Sequence, residues 1–232
     1  MNGPCSKGIA AAAIALFFAR AASAQTPSLA PMTVPQILAR MAANTAGLRS
    51  YAVPVHIDAH VRNGLLSVPV SMDGERYFEA PAREAMRMRN VPAIGKQFSN
   101  VYAGLGTPQT WQTTYDIVLD GSGELNGHSV FRLRATYKHP STVDRVELYV
   151  DVSTFDAVEV RWFYHNGATI VMDIDESLVE DTYRLPQRET LRVQFPAYSG
   201  NATVSYGTYS INVPIPDSVF GGSSSTTTSK RS

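Results

Sequence analysis

Cysteine is almost missing from this chain: 232 residues hold one, Cys5, near the N-terminus. A lone thiol excludes an intramolecular disulfide and any cysteine-rich metal site. Net charge is missing too, since 20 basic residues balance 20 acidic ones. A chain without a basic excess has no electrostatic reason to bind nucleic acid. No nucleophile elbow or phosphate-binding loop is present, and no apolar run reaches the ~20 residues that cross a bilayer as a helix.

What the N-terminus does have is Lys7 ahead of an apolar run from Ile9 to Ala19, then Ala22-Ser23-Ala24 before Gln25. Small residues at that place suit a signal peptidase, so residues 1–24 read as a cleavable secretory signal. The expected location is the periplasm, or the outside of a cell with no outer membrane. A lipoprotein signal needs its cysteine directly after the apolar run, and Cys5 lies before it. Cleavage removes Lys7 and Arg20 and no acid, leaving 18 basic against 20 acidic residues and a net charge of −2. Residues 25–32 read as a linker, 33–220 as one domain, and Gly221–Ser232, rich in Gly, Ser and Thr, as a disordered tail.

The clearest pattern runs from Phe131 to Ile174. Phe131, Leu133, Ala135 and Tyr137 alternate with Arg132, Arg134, Thr136 and Lys138; Val146, Leu148, Val150 and Val152 alternate with Glu147, Tyr149 and Asp151; Val158, Val160 and Trp162 alternate with Glu159, Arg161 and Phe163. Period two means strands with one face turned from water. A three-residue loop at His165-Asn166-Gly167, with Gly167 left-handed, keeps the faces matched and pairs Trp162 with Ile170, Val160 with Met172 and Val158 with Ile174. In the preceding hairpin the same logic sets Val150 opposite Val158, Leu148 opposite Val160 and Glu147 opposite Arg161.

Eleven candidate strands start near Tyr51, Leu65, Glu75, Glu84, Thr113, His128, Asp144, Ala157, Ala168, Glu189 and Thr203. Two helices interrupt them. Thr33 and Gln36 form a capping-box pattern for a helix over Val34–Leu48, with Gly47 as its C-terminal cap. A second is expected over Ala93–Leu105, where Ile94, Phe98, Val101, Tyr102 and Leu105 follow helical spacing and Gly104, Gly106 and Pro108 close it. It is placed to cross the apolar face as a lid.

Candidate chemistry is thin. His56, Asp58 and His60 share one strand face, but two histidines four residues apart on a strand lie roughly 13 Å apart, too far to share one ion. Asp173, Asp175 and Glu176 offer paired carboxylates for a hydrolase, and Asp173 and Asp175 are neighbours on one face, without a second wall to make a cleft. Neither a catalytic residue, a metal nor a cofactor is implied.

The order of signal, N-terminal helix, Gly74-Glu75-Arg76-Tyr77-Phe78-Glu79-Ala80-Pro81, mid-chain helix, Val150-Asp151-Val152-Ser153-Thr154 and Tyr164-His165-Asn166-Gly167 resembles the outer-membrane lipoprotein-sorting carriers, LolA and its relatives. The ending from Tyr209 to Phe220 is similar to theirs as well. The carriers have an Arg-Pro pair where this chain has Ala80-Pro81. The resemblance implies a mainly β (α+β) fold: an unclosed, curved antiparallel half-barrel of about eleven strands, with an N-terminal helix and a lid helix over an apolar cavity. It further implies a monomeric, non-enzymatic carrier of a lipid or lipoprotein acyl chain, exchanging cargo with inner- or outer-membrane delivery proteins. The residues expected to line the cavity are Ile94, Phe98, Val101 and Leu105 from the lid, with Leu133, Leu148, Val150, Val160, Trp162 and Met172 from the sheet. Two alternatives stay open: an envelope sensor or interaction module with a filled core, and a hydrolase using Asp173 or Asp175.

Overall fold

The computed structural model describes residues 32–64, 66–89 and 108–221. The chain divides into Met1–Pro31 and Met32–Ser232, and every described residue belongs to the second unit. The expected signal peptide, the helix over 93–105 and the tail beyond Gly221 therefore lie outside the described residues.

Helix α1 (Val34–Ala43) starts at the expected capping box, where the Thr33 amide donates to Gln36 Oε1 at 2.8 Å. Its apolar stripe, Ile37, Leu38 and Met41, is buried. The helix stops five residues short of Leu48. Asn44 is the cause, because its side-chain amide donates to the Thr154 carbonyl and to Asp156 Oδ1 across the fold, while its own N–H turns back to Met41. Gly47, at φ +82°, ends the turn that follows rather than the helix itself.

Eleven strands follow: β1 (Ser50–Asn63), β2 (Leu66–Glu79), β3 (Arg83–Arg89), β4 (Tyr115–Leu125), β5 (His128–Tyr137), β6 (Val143–Asp151), β7 (Ala157–Tyr164), β8 (Thr169–Val179), β9 (Tyr183–Gln194), β10 (Ser199–Tyr206) and β11 (Ser210–Ile211). Helix α2 (Pro108–Thr114) precedes β4, and α3 (Asp217–Phe220) follows β11. They form one antiparallel sheet in the order β3-β2-β1-β10-β9-β8-β7-β6-β5-β4, with β11 pairing β1. Its edge strands β3 and β4 stay unpaired with each other, which makes the architecture an open, curved half-barrel.

The strand total matches the expectation, but its members differ. The separate strands expected at Leu65 and Glu75 are one strand, β2. Gly74 does not break it, because a Cβ there would come within 2.6 Å of the Arg87 carbonyl on β3, so glycine permits the close pairing. The added member is β11. Strand β9 begins at Tyr183, ahead of the expected Glu189, and tolerates Pro186 because a bulge between Asp175 and Glu176 breaks the ladder opposite it. Pro108 opens α2, and the strand expected near Thr113 begins at Tyr115; the helix that Pro108 was expected to close lies outside the described residues.

The β7–β8 register is as expected where Trp162 faces Ile170 and Val160 faces Met172, with Gly167 at φ +81°, but the ladder ends at Glu159 and Asp173, short of the expected pair of Val158 with Ile174. In the β6–β7 hairpin, Glu147 faces Arg161 and Leu148 faces Val160, but Val150 faces Ala157 and not Val158. The tight turn explains the slip. Asp151 Oδ1 accepts from the Ser153 and Thr154 amides, and Phe155 adopts φ +59°, which draws Ala157 up to Val150 and bulges Val158 out.

One face of the sheet carries the core, in rows such as Phe131 and Leu133, Val146 and Leu148, and Val53 and Val55, all buried, with α1 packed among them. The opposite face is not solvated throughout. Glu159, expected at the polar surface, is only 2% exposed, covered by Arg161 and Arg192.

A polar-ended cavity on the inner face

A cavity of about 390 Å³ opens where the end of α1, Trp111 of α2 and the inner rows of β1, β2, β8 and β9 meet. Its walls are largely apolar, including Leu48, Tyr51, Phe78, Met172, Ile174 and Leu185. The pleat also brings charge inside. Arg76 pairs with Val53 of β1, and Glu189 pairs with Val204 of β10, and both valines are wholly buried. Arg76 and Glu189 thus sit in inner rows that are otherwise apolar.

There they bond to each other and to their neighbours. Arg76 Nη1 donates to the Tyr206 hydroxyl at 2.8 Å and to Glu189 Oε1 at 3.5 Å, and Nη2 donates to Glu84 Oε2 at 3.2 Å. Glu189 is 4% exposed, and its Oε2 has no hydrogen-bond partner among the described residues. Burial raises the Glu189 pKa, with the Arg76 charge opposing. Burial likewise pushes Tyr51 up to about 12, again against Arg76, and lifts Tyr206 and Tyr209 above the ordinary phenol range.

A second polar group lines the same cavity. Arg184 grips both oxygens of Asp156 through Nε and Nη2, and Asn44 supports Asp156 at 3.1 Å. Glu176 beside them is pushed up to about 9, first by burial and then by the negative charge of Asp156. At neutral pH such a carboxyl keeps its proton.

Of the residues expected to line a cavity, Met172 lines this one. Leu133 and Leu148 line a separate void of about 20 Å³ under Trp111 and Tyr115. Val150, Val160 and Trp162 are buried in the core, and Ile94, Phe98, Val101 and Leu105 lie outside the described residues. Arg76, Glu84 and Glu189 were missed, and Glu176 was considered only as a candidate catalytic carboxylate. The signal was present, since Glu189 shares the parity of Leu191 and Val193, and Arg76 that of Phe78 and Met72.

The other candidates fall on the outer face. Asp173 is tied to Arg192 at 2.5 Å and Asp175 is exposed. His56 is paired with Asp73 at 2.7 Å and Asp58 at 3.2 Å, and the Asp73 hydrogen bond raises its pKa. Among the described residues no group of three or more His, Cys, Asp or Glu side chains is placed to hold a metal ion, and no helix is long and apolar enough to cross a membrane.

No protein-family model matches the sequence, and no curated protein matches it. Solved structures do. A domain assigned to outer membrane lipoprotein sorting from Vibrio parahaemolyticus matches with a TM-score of 0.57 at 12% identity, over 82% of this chain and 96% of that one. A LolA superfamily protein from Nitrosomonas europaea matches at 0.54 and 13%, over 82% and 98%. This chain has a LolA-like fold. A DUF1329 family protein from Desulfovibrio piger shares it, with a TM-score of 0.54 at 15% identity over 82% and 96%. At such identities the likeness is one of backbone architecture, and the LolA-like half-barrel leaves the chemistry of its cavity to the residues just described.

Proposed function

We propose that this chain is an exported, non-enzymatic carrier that holds a lipid or lipoprotein acyl chain against the inner face of its half-barrel. The observation that carries the reading is the cavity of about 390 Å³, with mostly apolar walls, on the concave side of an open sheet. That size falls within the ~300–1,000 Å³ of ordinary ligand pockets. An acyl chain gains ~0.8 kcal/mol for each methylene it buries, so an apolar trough suffices for affinity and no array of precisely aimed polar groups is needed. The Vibrio parahaemolyticus domain, assigned to lipoprotein sorting, supports the same cargo class. The site of action is the periplasm, the working form is a monomer, and the partners are the membrane components that load and receive the cargo.

Mass spectrometry of organic extracts from protein purified without detergent tests this. Lipid co-purifying near stoichiometry, and displaced by a fluorescent fatty acid, is the expected result. Protein that carries no lipid and binds no acyl probe would end the carrier reading in favour of an interaction module.

A further inference from the structure

The cavity's charges are unevenly committed. Both guanidiniums that line it are occupied: Arg76 by Glu84, Glu189 and Tyr206, and Arg184 by Asp156. Three carboxyl side chains line it, Glu84, Glu176 and Glu189. Glu189 is buried with Oε2 unpartnered among the described residues, and Glu176 sits beside Asp156 with Arg184 already engaged. An anionic head, whether carboxylate or phosphate, would meet these acids with no uncommitted lining cation among the described residues to receive it. Its burial would be opposed on both counts.

We infer that the polar end of the cavity accepts the ammonium head of an amine-bearing amphiphile, with Glu189 as its anchor and Glu176 as a second carboxyl partner. The inference rests on the carrier reading and specifies its cargo. A primary ammonium brings three N–H donors and no acceptor, which suits a carboxylate oxygen that lacks a donor. The rings of Tyr51 and Phe78 stack at 5.4 Å beside this cluster and add faces that favour a cation. The Arg76 charge, which would repel the head, is offset by Glu84.

Proton exchange accompanies the binding. Groups facing the head are Tyr51 of β1, Arg76 of β2, Glu84 of β3, Glu176 of β8, Arg184 and Glu189 of β9 and Tyr206 of β10, with Tyr209 behind them. Of these, Glu176, with Asp156 against it, holds a proton that burial favours, and burial raises the Glu189 pKa against the Arg76 charge. An arriving ammonium favours the ionised form, so Glu176, on becoming a carboxylate, releases one proton to solvent and its charge is balanced by the head.

Calorimetric titration of the delipidated full chain with dodecylammonium, dodecanoate and lyso-phosphatidylethanolamine tests the idea. Dodecylammonium should bind at least about tenfold tighter than dodecanoate, and Glu189→Gln should cut that preference about tenfold. Glu176→Gln should cut it less. Tight binding of the lysolipid as well identifies a lipid headgroup as the source of the amine, and binding of the simple amine alone identifies a free amine; either outcome supports the inference. Titrations in two buffers of different ionisation enthalpy should show protons released with the amine and none with dodecanoate, a readout that needs no variant. Equal affinity for the two heads, or no proton release, overturns the inference while leaving the carrier reading standing. Failure of all three probes to bind overturns both.

Discussion

The inner face of the sheet is two surfaces in one. Across β4, β5 and β6, residues such as Leu133, Val146 and Leu148 close to a void of about 20 Å³. Across β1, β2, β3, β8 and β9 the same pleat carries Arg76, Glu84 and Glu189 and keeps about 390 Å³ open. Flexible apolar side chains slide until they touch, because dispersion has no preferred direction. Hydrogen-bonded ions cannot follow them inward without breaking their own geometry. Space persists where polar groups fix the walls, so one half of the face is packed and the ionic half stays open.

The strongest test of that contrast removes its centre. Arg76→Ala strips the counter-charge from buried Glu189 and should cost roughly 3–5 kcal/mol in urea unfolding. Replacing both partners, as Arg76→Met with Glu189→Leu, should recover most of the loss, because no buried charge is then left alone. A single-variant loss below about 1 kcal/mol would mean the inner ions are not a working network.

Next come paired truncations in the two halves. Leu133→Ala, at a site 1% exposed, should cost about 3 kcal/mol, and Met172→Ala, on the cavity wall, nearer 1–2 kcal/mol because Met172 already lacks neighbours on one side. Equal costs in chemical denaturation would erase the distinction between packed and open halves.

The pH dependence should also divide by region. Glu176, pushed from 4.5 to about 9, binds more protons folded than unfolded between those values. Stability therefore falls as pH rises through that window, by at most roughly 1.4 kcal/mol per pH unit for one proton, and Glu176→Gln should flatten the slope. Asp151, outside the cavity, works the other way: burial opposes its ionisation, but bonds from Ser153, Thr154 and His128 hold its pKa well below the usual range. Its contribution is present above the ordinary carboxylate pKa and is lost as pH falls through the folded value. Thermal unfolding from about pH 1.5 to pH 9 reads both, and Asp151→Asn should remove the acid limb.

The smallest effect belongs to the outer face. Glu147 and Arg161 stand opposite each other, yet each bonds along its own strand, Glu147 to Arg145 and Arg161 to Glu159. A double-mutant cycle should give a coupling under ~0.5 kcal/mol.

The packed half was the legible half. Alternation from Phe131 to Ile174 fixed which side chains face inward, and the three residues His165 to Gly167 fixed the β7–β8 register. Val150 was misplaced because the bulge depends on how Asp151 folds the turn beneath it, a contact that period-two patterning does not encode. Helix α1 was read too long because Asn44 is claimed by Thr154 and Asp156, more than a hundred residues away. The ionic half was hidden for a different reason. Charged residues at apolar parity look like errors in a pattern, and only the partners that cross from β2 to β9 and β10 turn Arg76 and Glu189 into a site.

The pairing of β1 with β10 has a kinetic consequence. Val55 lies beside Tyr206, 151 residues later, whereas β4 through β9 join neighbour to neighbour in chain order. Contacts of such high sequence separation carry a large loop-closure entropy and form slowly. The meander from β4 to β9 can assemble as the chain emerges, but the β1–β3 hairpins can dock only after β10 is made. Arg76 and Glu189 meet across that last seam, so the cavity's polar end is completed in the final step of folding.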